Sequence, residues 1–337
     1  MRKTVLIIAV LTLVSSAGVC AAKNDAAPFL GAWALTKDGG GAGWLEVTQQ
    51  KGYLDGALLW LGGSVLPVAS AYVNDGALTV TRTFEEERKD ANDTVVRTHT
   101  FAEAYTMTIE NGKLVGTRFR PRGNGRGGDL DRFTGVPEPP KPPQPDLSTL
   151  HFAQPIALLT EDSLAGWKLL EERAKNGWRV EDGVLINDTA QPKKGLHAFY
   201  GNLRTEAEFE DFNLKLEVNV PAHGNSGVYL RGIYEVQVED SYGRPVDPHR
   251  MGAIYSRIAP SVSAEKPAGE WQTLDITLVD RHVTVILNGT RIIDNVYLPG
   301  CTGGAMSSDV SKPGPIYLQG DHSAIRYRNV VLTPIEN

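Results

Sequence analysis

The chain has 337 residues, 41% hydrophobic and 22% charged, the proportions of a folded globular protein, and its length favours two domains. A net charge of −6 excludes the basic face that a nucleic-acid or anionic-membrane partner requires. Thirty-five glycines and twenty prolines punctuate runs rich in Val, Ile, Thr and Tyr, which points to an all-β protein.

In chain order, Met1-Arg2-Lys3, an apolar run from Thr4 to Val14 and a small-residue stretch outline a signal peptide over residues 1–21. The run is too short for a membrane span, so export to the periplasm or medium is expected. Val19-Cys20-Ala21 leaves two outcomes open: cleavage before Ala22, or a lipid anchor on Cys20, the one circumstance in which membrane contact is expected. Once Cys20 is removed, Cys301 has no partner, and no internal disulfide is expected.

From 28 to 135 the sequence reads as short strands: Leu30–Leu35, Trp44–Val47, Tyr53–Leu61, Val65–Val73, Ala77–Phe84, Arg97–Ile109, Leu114–Phe119 and Leu130–Phe133. Asn74-Asp75-Gly76 and Asn111-Gly112 mark tight hairpins. This pattern predicts a small antiparallel, barrel-like β domain. Gly31-Ala32-Trp33 resembles the Gly-x-Trp opening of lipocalin-type barrels. No catalytic constellation stands out in this segment. Residues 136–146, with six prolines, read as an extended linker.

From 147 to 337 longer strands follow: Trp178–Ile186, Phe212–Val220, Gly227–Val238, Trp271–Val279, His282–Leu287, Arg291–Val296, Ile316–Gln319 and Ala324–Leu332. They predict a two-sheet antiparallel sandwich with one face of each sheet toward solvent. Within it, Gly224 to Gly243 is the informative segment. Val228 and Leu230 alternate with Tyr229 and Arg231; beyond Gly232, Tyr234, Val236 and Val238 alternate with Glu235, Gln237 and Glu239. An aromatic ring among bidentate polar groups is the chemistry of a sugar site, although alternation alone also describes a solvated face.

The stretches GNSGVYLR (224–231), YEVQVEDSYG (234–243), GAIYSRIAPS (252–261), EKPAGEWQTLDI (265–276), VILNGTRIIDN (285–295) and GPIYLQGDHSAIRYRNV (314–330) resemble the 3-keto-disaccharide hydrolase domain family. Its members are also described as 3-keto-glucoside 1,2-lyases or 3-keto-glucal hydratases. The resemblance covers about 155–335. It implies a concanavalin-like jelly-roll sandwich acting on a small oxidised glycoside. One departure is Gly320-Asp321-His322-Ser323-Ala324, which stands where the family carries an Asp-His-Gly run.

A ketone at sugar carbon 3 acidifies the hydrogen on carbon 2 and lets the group on carbon 1 leave. Such chemistry needs a base, a stabiliser for the enolate and an acid. His322, Glu235 and Asp240 are the candidate bases, and Arg231 and Lys266 the candidate cations. Asn225, Tyr229, Gln237, Tyr255 and Gln319 are the candidate substrate-binding groups. A divalent metal is left open; its ligands would come from His322, Asp240, Glu235 or Glu239, which show no metal-type spacing. No dinucleotide fingerprint is present, so no nicotinamide or flavin site is expected, and a separate sugar 3-dehydrogenase must supply the ketone. Two rival readings remain. One is a non-catalytic carbohydrate-binding module. The other is a laminarinase-like retaining glycosidase, because Glu235 to Asp240 has the outline of a Glu-x-Asp-x-x-Glu strand.

Overall fold

A computed structural model describes residues 25–160, 162–190 and 198–336. The expected signal peptide and Cys20 lie outside the described residues. Nearly all regular structure is β, and no α-helix occurs among the described residues.

The first part is built from β1 (Gly31–Lys37), β2 (Ala42–Gln50), β3 (Tyr53–Trp60), β4 (Leu66–Pro67), β5 (Ser70–Asn74), β6 (Ala77–Lys89), β7 (Val95–Glu110), β8 (Lys113–Pro121) and β9 (Gly128–Pro137). Each strand pairs with its sequence neighbour, and β9 returns to β1. The stretch read as Val65–Val73 is two pieces: β4 pairs with β3, and β5 pairs with β6. One segment of chain therefore bridges both ends of the sheet and closes it into a barrel, leaving no long free edge. The interior is filled by side chains, among them Trp33, Leu45, Leu58, Trp60, Met107 and Phe133. Near Trp60 sits a buried ionic cluster: Glu103 accepts from Arg82, Arg118 and the Tyr105 hydroxyl.

The proline-rich segment is not a free tether. Pro137 still belongs to β9, opposite Trp33. The Pro139 and Pro140 carbonyls accept from Arg281, and the Pro145 carbonyl accepts from Asn295 at 2.9 Å.

The second part comprises β10 (His151–Phe152), β11 (Ile156–Ala157), β12 (Trp167–Leu169), β13 (Trp178–Glu181), β14 (Val184–Asn187), β15 (Leu203–Thr205), β16 (Phe212–Asn219), β17 (Asn225–Leu230), β18 (Tyr234–Glu239), β19 (Trp271–Val279), β20 (His282–Leu287), β21 (Thr290–Tyr297), β22 (Tyr317–Leu318) and β23 (Ile325–Glu336). One sheet runs β13-β14-β23-β16-β19-β20-β21, with β10 and β11 also on β23; the other runs β12-β15-β22-β17-β18. Between them lies an apolar core including Leu214, Val218, Ile276 and Val285 from the first sheet and Val228, Leu230, Val236 and Leu318 from the second. This is the expected jelly-roll sandwich.

Two expectations need correction. Gly227–Val238 is not one strand but the hairpin β17–β18. Arg231 (φ 57°) and Gly232 (φ 64°) both take the left-handed region, and Ile233 N–H closes the turn on the Leu230 carbonyl at 3.0 Å. Because Leu230 pairs with Tyr234, the loop is three residues long, Arg231 to Ile233, and opens with two left-handed positions. Nor does the five-stranded sheet face solvent: β17 and β18 are buried on both faces, because loops and the barrel cover the outer one.

Candidate active site

That covered face carries the site. Pairing sets Tyr229 opposite Glu235, Gly227 opposite Gln237 and Asn225 opposite Glu239, so alternate residues of two strands share one surface. Tyr317 of β22 pairs with Tyr229, and their rings stack 4.1 Å apart. Gln319 follows, its N–H on the Gly227 carbonyl at 2.9 Å. Together with Tyr255, Asp321 and His322 these groups line a cavity of about 440 Å³, within the usual range for small-molecule sites. A larger hollow of about 540 Å³ on the other sheet contains no histidine and a single carboxylate, Asp188.

Glu235 is the most perturbed acid here. It is buried (4% exposed), and burial lifts its pKa to about 8, although the Tyr229 hydrogen bond and the nearby His322 pull the other way. Hydrogen-bond geometry agrees. The Tyr229 hydroxyl lies 2.9 Å from Glu235 Oε2 and 2.7 Å from the Gly303 carbonyl, yet it has one proton. The carbonyl can only accept, so the three groups are satisfied together when Glu235 is protonated and donates to Tyr229, which donates to Gly303. The Glu235 carboxyl lies over Gly227, where a Cβ would collide with Oε1. Gly227→Ala is therefore expected to lower kcat at least tenfold, with an overpacking cost of about 1–3 kcal/mol read by thermal unfolding. An unchanged kcat would show that the carboxyl position is not critical.

The same cavity holds a histidine of different character. His322 Nδ1 lies 2.7 Å from the Asp321 carboxylate. That hydrogen bond outweighs partial burial and raises its pKa above the usual imidazole value. The carboxylate can only accept, so Nδ1 holds the proton and Nε2 carries the free lone pair when the ring is neutral. The segment bearing this pair is pinned on several sides. Gly320 N–H donates to Asn202, Asn187 donates to the Gly320 carbonyl, and Ser323 bonds the Asn225 backbone. Two amide oxygens in the cavity, Asn225 Oδ1 and Gln319 Oε1, are buried without a partner. Buried polar atoms of this kind call for a ligand or water hydrogen bond, and sugar hydroxyls supply donors.

Of the other candidates, Gln237 and Tyr255 line the cavity, the Gln237 amide donating to the His249 carbonyl at 3.3 Å. Three candidates are not brought together with them. Arg231 sits in the hairpin turn and clamps the Val310 and Lys312 carbonyls, so it is spent on a loop. Lys266 is exposed and donates to the Trp271 carbonyl. Asp240 accepts from His223 N–H and lines an adjoining depression. Glu239 is engaged by Arg244 and Arg250. The four supposed metal ligands therefore do not converge, and no group of three acidic, His or Cys side chains among the described residues could hold a metal ion. Sequence reasoning missed Tyr317, Glu171, Asn202 and the rim residue Phe199, 56% exposed, all contributed by separate loops and strands. It also missed Gly62 and Gly63, which reach the cavity from the barrel.

Comparison with known proteins gives a consistent picture. A sequence model described as the 3-keto-alpha-glucoside-1,2-lyase-like domain matches residues 154–333, more than half of the chain. Two crystal structures of putative glycosyl hydrolases from Parabacteroides distasonis are similar. One is 31% identical over 53% of this chain and 82% of its own, with a TM-score of 0.42. The other is 20% identical over 54% and 94%, with a TM-score of 0.45. A non-specific endo-beta-1,3(4)-glucanase of family GH16 is 14% identical over 58% and 93%, with a TM-score of 0.35. No curated protein matches the sequence. With a family match over residues 154–333, nearly the whole sandwich and more than half of the chain, the chain belongs to the 3-keto-alpha-glucoside-1,2-lyase-like family.

Proposed function

We propose that the chain cleaves 3-keto-glycosides by β-elimination in the Glu235–His322 cavity. Neutral His322, oriented by Asp321, takes the proton from carbon 2. The electron pair forms the carbon 1–carbon 2 double bond through an enolate, and the carbon 1–oxygen bond breaks. Protonated Glu235 turns its proton from the Tyr229 hydroxyl to the departing oxygen, and Tyr229 then donates to the carboxylate left behind. Asn225, Gln237 and Gln319 orient the sugar's oxygens. Addition of water across the new double bond completes a net hydrolysis. The observation that carries this reading is the pairing of an acid kept protonated by burial with an imidazole whose free nitrogen serves as base. An exported location and a partner 3-dehydrogenase that supplies the ketone accompany the proposal.

The retaining-glycosidase alternative, with Glu235 and Asp240 as its two carboxylates, is disfavoured because Asp240 accepts from His223 N–H and lines the adjoining depression, not the cavity that Glu235 lines. Incubation with a 3-keto-glucoside and with the unoxidised glucoside separates the readings by enone absorbance and released aglycone. Turnover of the keto form alone supports elimination. Turnover of the plain glucoside, or binding without turnover, overturns it.

A further inference from the structure

The barrel contributes to the cavity itself. Gly62 and Gly63, in the loop between β3 and β4, form part of its lining. The loop is fixed to the sandwich along its length. Gly304 N–H donates to the Leu61 carbonyl at 2.8 Å, Ser64 Oγ lies 2.9 Å from His249 Nε2, and Val65 N–H donates to Ser256 Oγ at 2.9 Å. Gly303 is pressed so closely to Gly63 that a Cβ would strike the Gly63 carbonyl. Gly303 is also the residue whose carbonyl ends the Glu235–Tyr229 chain. Beneath the loop, Ala42, Trp44 and Leu59 of the barrel join the sandwich's own core, with the Arg257 guanidinium 4.4 Å over the Trp44 ring. This seam is continuous packing of the kind that holds two domains in one arrangement.

The cavity also continues into a polar depression, whose His249 is the residue bonded to Ser64 of the loop. The two share Asn225, Gln237 and Tyr255, and the depression adds Glu239, Arg244 and His249. The barrel loop thus lines the cavity through Gly62 and Gly63 and borders the depression through Ser64.

We propose that the barrel loop 61–65 is a specificity-determining wall of the active site. It limits the bulk carried by the bound sugar, while the leaving group extends into the polar depression. This rests on the reading of the cavity as the site of keto-glycoside cleavage. The N-terminal domain is then part of the enzyme's selectivity, not a spacer.

Gly62 offers the test, because its backbone does not need positive φ and a Cβ there meets nothing within 4 Å. Gly62→Ala, Gly62→Leu and Gly62→Phe in the full chain add bulk stepwise, with thermal unfolding as the check on folding. The substrates are a methyl 3-keto-glucoside and the same compound carrying a 6-O-acyl group. Gly62→Phe is expected to lower kcat/KM for the acylated substrate relative to the unadorned one by at least about tenfold, the effect falling on KM. An unchanged ratio in a folded variant overturns the wall. If wild type turns over neither substrate, the functional reading fails. Calorimetric binding of the unoxidised methyl glucoside and its 6-O-acyl derivative then tests the wall separately. Selective weakening of the acylated ligand in Gly62→Phe supports it. Equal affinities, or no binding by wild type, overturn it.

Discussion

His322→Ala is expected to lower kcat on a 3-keto-glucoside by about 10²–10⁴-fold, the usual contribution of a positioned base, while leaving affinity for an unoxidised glucoside nearly unchanged. Glu235→Gln should lower kcat by a comparable factor, because the amide preserves shape and neutrality but has no acidic proton. The two groups should also shape the pH profile. His322 acts when neutral, so activity rises with pH through its raised pKa. Glu235 acts when protonated, so activity falls as pH passes about 8. The product is a bell, and Glu235→Gln should remove its alkaline limb while keeping the acid one. Profiles of kcat/KM for both proteins decide the matter. An alkaline limb that survives Glu235→Gln assigns it to another group.

Glu103→Ala is expected to destabilise the barrel by about 3–5 kcal/mol, the range for removing one partner of a buried charge network. The Glu103 carboxylate is 2% exposed and lies between Arg82 and Arg118 at 2.9 and 2.7 Å. Removing it leaves two facing guanidiniums, of which Arg118 retains Asp131. Burial alone would raise the Glu103 pKa, but the Arg118 hydrogen bonds and the charges of Arg82 and Arg118 prevail and hold it below the ordinary value. A depressed carboxyl stabilises the folded state above its unfolded pKa, and that contribution disappears as pH falls through the folded value. Urea unfolding followed by tryptophan fluorescence at neutral pH should show the loss, and the gap between variant and wild type should narrow in acid. A loss under about 1 kcal/mol would place this network with screened surface pairs.

Strand alternation and hairpin dipeptides made both β domains legible, and the run from Asn225 to Glu239 disclosed most of the polar face. The same alternation misled at Arg231. A period of two persists numerically across Gly232, yet two positive-φ residues reverse the chain there and turn one row of side chains into two facing rows. Pocket residues such as Tyr317 and Asn202 were illegible for another reason. Each comes from a short segment whose local pattern is ordinary, and only sheet order places it beside Tyr229 or Gly320. Gly62 and Gly63 read as a turn, since nothing local reveals which domain a turn will touch.

Closure of the barrel bears on how the site meets its substrate. The loop that walls the cavity hangs between β3 and β4, and the chain from β4 into β5 closes the barrel. Both ends of the loop are therefore fixed before any sugar arrives. Its conformational entropy is surrendered once, during folding, and is not subtracted again from each binding event. A substrate enters a finished surface, so discrimination by this wall takes effect on first contact, without a closing movement.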